Sequence, residues 1–96
     1  MRHEVRASHI LVRTKEDAEI LLKQIRSGKD FAEIASRFSL CPSGKSGGDL
    51  GFFGHGVMVQ PFDEAAFALS EIGDVSEPVE TQFGWHLIKL TGIIDE

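Results

Sequence analysis

Trp85-His86-Leu87-Ile88-Lys89-Leu90-Thr91-Gly92-Ile93-Ile94 is the stretch on which the fold turns. Apolar residues dominate it, so it reads as a strand, with His86, Ile88 and Leu90 on one face and Trp85, Leu87 and Lys89 on the other. Near the other end of the chain, Val5 to Arg13 has the same character. There Ala7, His9 and Leu11 share one face, and Ser8, Ile10 and Val12 share the other. Both faces of this segment are largely apolar, which predicts a central strand. First and last strands commonly pair at the middle of such a sheet. That pairing would set two imidazoles, His9 and His86, opposite each other inside the core.

Helices fill the space between. Thr14 reads as an N-cap with Asp17 three residues on, followed by apolar Ala18, Leu21, Leu22 and Ile25 at helical spacing, and Gly28 ends that helix. A second helix starts at Asp30, with Glu33 at its third position and Phe31, Ile34, Ala35 and Phe38 as its stripe. A third runs from about Pro61 to Leu69, with Phe62, Ala65, Ala66 and Leu69 on one side. Shorter strands are predicted at Leu50 to Phe53 and at Glu77 to Val79, where Pro78 marks an edge or a strand start. The order is β-α-α-β-α-β-β. Few segments are long enough for parallel crossovers, so the prediction is an α+β fold, a mainly antiparallel sheet with helices packed around it. Cys41 to Gly56 holds six of the ten glycines, yet Leu50, Phe52 and Phe53 lie within it. It is therefore expected to be a structured functional loop rather than a linker.

At 96 residues, with 42% apolar and 26% charged residues, the chain is expected to form one domain spanning 1–96 around a single core. Residues 1–45 carry nine Lys/Arg and six Asp/Glu, a balance of +3, whereas residues 46–96 carry only Lys89 against nine acids, a balance of −8. The basic residues interleave with acids, as a solvated face does, and form no stripe for nucleic acid. The apolar runs fall far short of the ~20 residues of a membrane span. A single cysteine forms no internal disulfide and suits a reducing compartment. A soluble cytoplasmic monomer, with no nucleic-acid or membrane partner, is the expectation.

Three groups of residues could carry chemistry. His9 and His86 could form a buried pair that passes a proton between tautomers without holding charge, or could be two unrelated core histidines. Cys41, at a helix-to-loop transition before Pro42, is either a small buried hydrophobe or a thiol activated by a histidine or Lys45. A cysteine hydrolase is the weaker of these, since no local signature supports it. Leu50, Met58, Phe62 and Phe83 could be ordinary core or a soft apolar surface that receives a flat ring. Gly44-Lys45-Ser46 resembles the end of a phosphate-binding loop, but Ser39 stands where the first glycine is required. The histidines and Cys41 lack the close spacing of metal ligands, so no metal site is expected.

Four blocks then decide between these readings: Ser8 to Val12 (SHILV), Phe38 to Gly51 (FSLCPSGKSGGDLG), Gly56 to Phe62 (GVMVQPF) and Thr81 to Lys89 (TQFGWHLIK). In this order and spacing, over about residues 4–91, the chain resembles the parvulins, a family of peptidyl-prolyl cis/trans isomerases. The resemblance implies a four-stranded antiparallel sheet enclosed by about four helices, in a parvulin/FKBP-like architecture, with a substrate groove over one sheet face. It implies His9 and His86 as the central pair, Thr81 as the residue fixing their tautomers, and Cys41 beside the rotating amide. Leu50, Met58, Phe62 and Phe83 would line a proline pocket. It implies no cofactor, and proline-containing polypeptide segments as partners. One departure stands out. The loop after the first strand, Arg13-Thr14-Lys15-Glu16, is short and soon acidic, where phosphate-directed members carry a basic cluster. The chain therefore resembles a small, phosphate-independent member that assists protein folding. The alternative is a peptide-binding or chaperone module with the same groove and little turnover.

Overall fold

The computed structural model describes residues 2–95. Its four strands are β1 (Arg2–Val12), β2 (Asp49–Gly54), β3 (Val79–Thr81) and β4 (Gly84–Asp95), in one sheet of order β2-β1-β4-β3 with every neighbouring pair antiparallel. The helices are α1 (Lys15–Arg26), α2 (Phe31–Phe38) and α3 (Gln60–Ala68), with a 3-10 turn at Pro42–Ser46. Among the described residues no helix is long and apolar enough to cross a membrane.

The predicted caps form. The Thr14 side chain accepts from the Asp17 backbone N–H at 3.1 Å and Asp30 accepts from that of Glu33 at 3.1 Å, each satisfying a donor the first turn leaves open. Apolar residues divide by face as the alternation requires. On one side Ile10, Val12 and Leu87 meet Ala18, Leu21, Leu22, Phe31, Ile34 and Ala35 of α1 and α2. On the other, Val5, Ala7, Ile88 and Leu90 meet Phe53 and the α3 residues Phe62 and Ala66.

Three expectations are corrected. Phe38, placed on the apolar stripe of α2, is half exposed, because it is the last residue of a helix only eight residues long and overhangs the core. β3 begins at Val79 rather than Glu77, so Pro78, which has no N–H for a ladder, lies just outside it. The alternation of β4 does not run unbroken to Ile94. Arg6 pairs with Gly92 and Ala7 with Leu90, leaving Thr91 as an extra residue. This bulge turns Ile93 back onto the α3 side beside Ile88 and Leu90.

Candidate active site

The central pairing of β1 with β4 aligns His9 with Ile88 and Leu11 with His86. His9 and His86 are thus diagonal neighbours on one face of the sheet, the arrangement that lets long side chains meet. Both are buried, their Nδ1 atoms are 3.0 Å apart, and their rings lie within 18° of parallel with centroids 5.2 Å apart. Phe62, projecting from the first turn of α3, stands edge-on to both imidazoles, at 5.5 Å and 5.3 Å between centroids.

Each outer nitrogen of the pair meets a hydroxyl. His86 Nε2 lies 2.7 Å from Thr81 Oγ1, and His9 Nε2 lies 3.1 Å from Ser43 Oγ. Thr81 is placed by the short β3–β4 pairing, where Val79 opposes His86 and Thr81 opposes Gly84. Its oxygen also accepts the Phe83 backbone N–H at 3.1 Å, which holds the turn. Ser43 sits in the 3-10 turn. That turn is fastened to β1 through Gly48, whose N–H donates to the Ser43 carbonyl at 2.8 Å and whose carbonyl accepts from the His9 N–H at 2.9 Å. Ser43 escaped the sequence reading, which paired the histidines with Cys41. A serine in a glycine-rich loop carries no periodic signal, and only its two-residue distance from Cys41 hinted at the same site.

Burial, with the neighbouring His86 adding to it, lowers the His9 pKa to about 4, and burial alone lowers that of His86 to about 4. Both rings are therefore neutral at pH 7, with one N–H each. The two facing Nδ1 atoms share a single hydrogen, so the line Ser43–His9–His86–Thr81 has two consistent arrangements. With the hydrogen on His9, Ser43 donates to His9 Nε2, and His86 donates to Thr81, whose own O–H is released. With the hydrogen on His86, Thr81 donates to His86 Nε2, and His9 donates to Ser43, whose O–H is released. A donor can thus pass from one end of the line to the other with no net charge in the core. Replacing Thr81 with valine keeps the shape but strips partners from His86 Nε2 and the Phe83 N–H. A loss of roughly 1–2 kcal/mol in urea unfolding is expected, together with a shifted Nε2 resonance of His86 in nitrogen-detected NMR.

Above the pair opens a cavity of about 390 Å³. His9 and His86 form its base, and Cys41, Leu50, Met58, Phe62 and Phe83 all contribute to its walls. The eight residues singled out from the sequence therefore converge, seven on the cavity and Thr81 directly behind His86. Phe83 is largely exposed and forms a rim. Met58 is carried by the segment before α3, which Asp63 anchors by accepting from the Gly56 N–H at 3.2 Å and by contacting His55 at 3.4 Å. Among the described residues no three His, Cys, Asp or Glu side chains converge to hold a metal ion.

The rotamase family, described as the PPIC-type PPIASE domain, matches residues 8–92. The chain belongs to this family of peptidyl-prolyl isomerases. Among PPIC-type relatives, the chain is 55% identical to the foldase protein PrsA of Halalkalibacterium halodurans, over 92% of this chain and 26% of the relative. It is 45% identical to PrsA of Bacillus subtilis, over 95% of this chain and 31% of the relative. The chain thus spans about a quarter to a third of the length of these curated relatives. The crystal structure of PrsA from Bacillus anthracis superposes with a TM-score of 0.94 at 42% identity, covering 98% of this chain and 43% of that one. The solution structure of NmPin, the parvulin of Nitrosopumilus maritimus, superposes with a TM-score of 0.85 at 40% identity, covering 96% of this chain and 99% of that one. The PPIC-type fold with its four-stranded antiparallel sheet is the one the resemblance implied, and the enzyme class is the isomerase class.

Proposed function

We propose that this chain accelerates cis/trans rotation of Xaa-Pro bonds in flexible or unfolded polypeptide segments, as a single unit over residues 1–96, monomeric and without a phosphate requirement. The observation that carries this reading is an apolar cavity of about 390 Å³ seated on a neutral, hydrogen-bonded histidine pair. That volume lies within the range of roughly 300–1,000 Å³ in which small rings and ligands are bound.

The uncatalysed barrier is about 18–20 kcal/mol, and exchange takes tens of seconds or longer. A ~10⁴-fold acceleration asks for only about 5–6 kcal/mol of selective stabilisation, so no covalent step is needed. Met58, Phe62 and Phe83 would grip the proline ring while the chain before it turns. The planar amide is charge-separated and the twisted one is less so. An apolar enclosure that excludes water therefore favours the twisted form relative to the planar one. The tautomer line, with Ser43 and Thr81 behind the two imidazoles, would keep the floor of the groove rigid and uncharged. Cys41 acts as a polarisable neighbour of the amide rather than as a nucleophile. Cys41→Ser is accordingly expected to retain activity within about tenfold, and complete loss in a folded protein would refute that role.

Phosphate independence is supported by the junction of β1 and α1, where only Arg13 and Thr14 intervene, and by Lys15, whose Nζ lies 5.9 Å over the Trp85 ring. NMR exchange spectroscopy on an Xaa-Pro peptide panel tests the whole reading. Exchange peaks at sub-stoichiometric protein, with no advantage for phosphoserine before proline, are expected. Shift changes without faster exchange would make the chain a binding module instead.

A further inference from the structure

A second hollow lies on the opposite side of the sheet, beside α1 and α2. Its volume is about 370 Å³, and Val12, Ile20, Leu21, Phe38 and Leu40 form its apolar wall. Three of these are openly displayed: Ile20 is 57% exposed, Phe38 51% and Leu40 53%. One exposed apolar side chain is ordinary, but three around one hollow mark a contact surface.

What assigns an occupant is continuity. Leu40 is a wall of this hollow and of the proline cavity alike. Along β1, Leu11 faces the cavity and Val12, the next residue, faces the hollow. The Leu40 N–H donates to the Leu11 carbonyl at 2.8 Å, and the Leu11 N–H donates to Ser39 Oγ at 3.1 Å. The segment carrying Leu40 is therefore fastened across the end of β1 and makes an apolar saddle from one side of the sheet to the other. Arg13 and Asp17 stand at the edge of the hollow and offer a donor and an acceptor to a passing backbone. A second copy of the chain fits less well. Three partly exposed side chains fall short of the ~800 Å² per partner that a stable interface buries.

We propose that this hollow is an extended subsite for the polypeptide being isomerised, taking a large apolar side chain several residues from the proline, with the intervening backbone crossing Leu40. The proposal rests on the isomerase reading and adds a preference for apolar flanks, the kind of segment that unfolded chains expose and folded chains bury.

Exchange spectroscopy separates the two ideas. A short Ala-Leu-Pro-Ala peptide, which cannot reach past Leu40, reports isomerase activity alone. Longer peptides carry leucine or serine in turn at each position from three to seven residues before or after the proline. At one or two adjacent positions leucine is expected to raise kcat/KM about tenfold over serine. In Ile20→Ser and Phe38→Ser proteins that leucine-to-serine ratio should fall to near one. If the short peptide is not accelerated, the isomerase reading itself fails. If it is accelerated but no position favours leucine, or the ratio survives both substitutions, the subsite is refuted. Sedimentation is measured alongside. A dimer that either substitution breaks would assign the face to a second copy and overturn the proposal.

Discussion

Acidification from pH 6.5 toward pH 4 is expected to destabilise the fold steeply, by roughly 2–3 kcal/mol per pH unit around pH 5. The cause is the His9–His86 pair. Folded, each imidazole is held neutral down to about pH 4, whereas in the unfolded chain each takes a proton near its ordinary value of 6.5. Between those values the unfolded state binds up to two more protons, so stability rises with pH, is fully present above 6.5 and is lost on the way down to 4. The loss sums to about 6 kcal/mol by pH 4, enough to unfold a domain at the lower end of the usual range of about 5–15 kcal/mol between pH 4 and pH 5. With a urea m-value of about 1–3 kcal/mol/M, the unfolding midpoint should drop by about 1 M or more between pH 6 and pH 5. His9→Asn, whatever its own stability, should roughly halve the slope. A flat profile between pH 7 and pH 5 would mean that the pair is charged or solvated in the folded protein.

Gly48→Ala is expected to cost more than about 3 kcal/mol and to abolish turnover. Gly48 has φ +87°, a conformation that costs other residues about 1–2 kcal/mol. Far more serious, an added Cβ would collide with the His9 backbone, its carbonyl oxygen above all. The neighbour here is main chain at the centre of the sheet and cannot swing aside. Relief would require the 3-10 turn to lift off β1, breaking the bond from the His9 N–H to the Gly48 carbonyl and withdrawing Ser43 from His9. Gly56→Ala separates strain from collision. Gly56 has a similar φ of +85°, but nothing lies within 4 Å of the added carbon, so a loss of only about 1 kcal/mol is expected. Parallel urea unfolding of the two variants checks the contrast. Equal losses would show that the close approach at His9 is unimportant.

The legibility of this molecule depended on what each residue answers to. Alternation placed His9 and His86 on the correct faces because both strands are covered on both sides, and burial then dictates the pattern. The caps at Thr14 and Asp30 were legible because they are local. The bulge at Thr91 was not, since it exists only as a mismatch of register between β4 and a strand some eighty residues away. Phe38 misled because helical spacing says nothing about where the neighbouring layer stops. Residue pattern alone leaves the histidine pair and the Met58–Phe62–Phe83 group undecided between core and site, and their reading as a site comes from the resemblance that the four family blocks carry. Ser43 belongs to neither class of signal, because its role arises from Gly48 folding the turn against β1.

The register of β1 on β4 sets Arg2 opposite Asp95. Directly paired residues of an antiparallel ladder have their Cα atoms only about 5 Å apart. The two ends of the unit therefore emerge side by side, at the end of the sheet centre remote from the histidines. A longer polypeptide carrying this fold as an insert could depart from its own body and return at a single point, holding the isomerase out like a bead on a loop while the host closes beneath it.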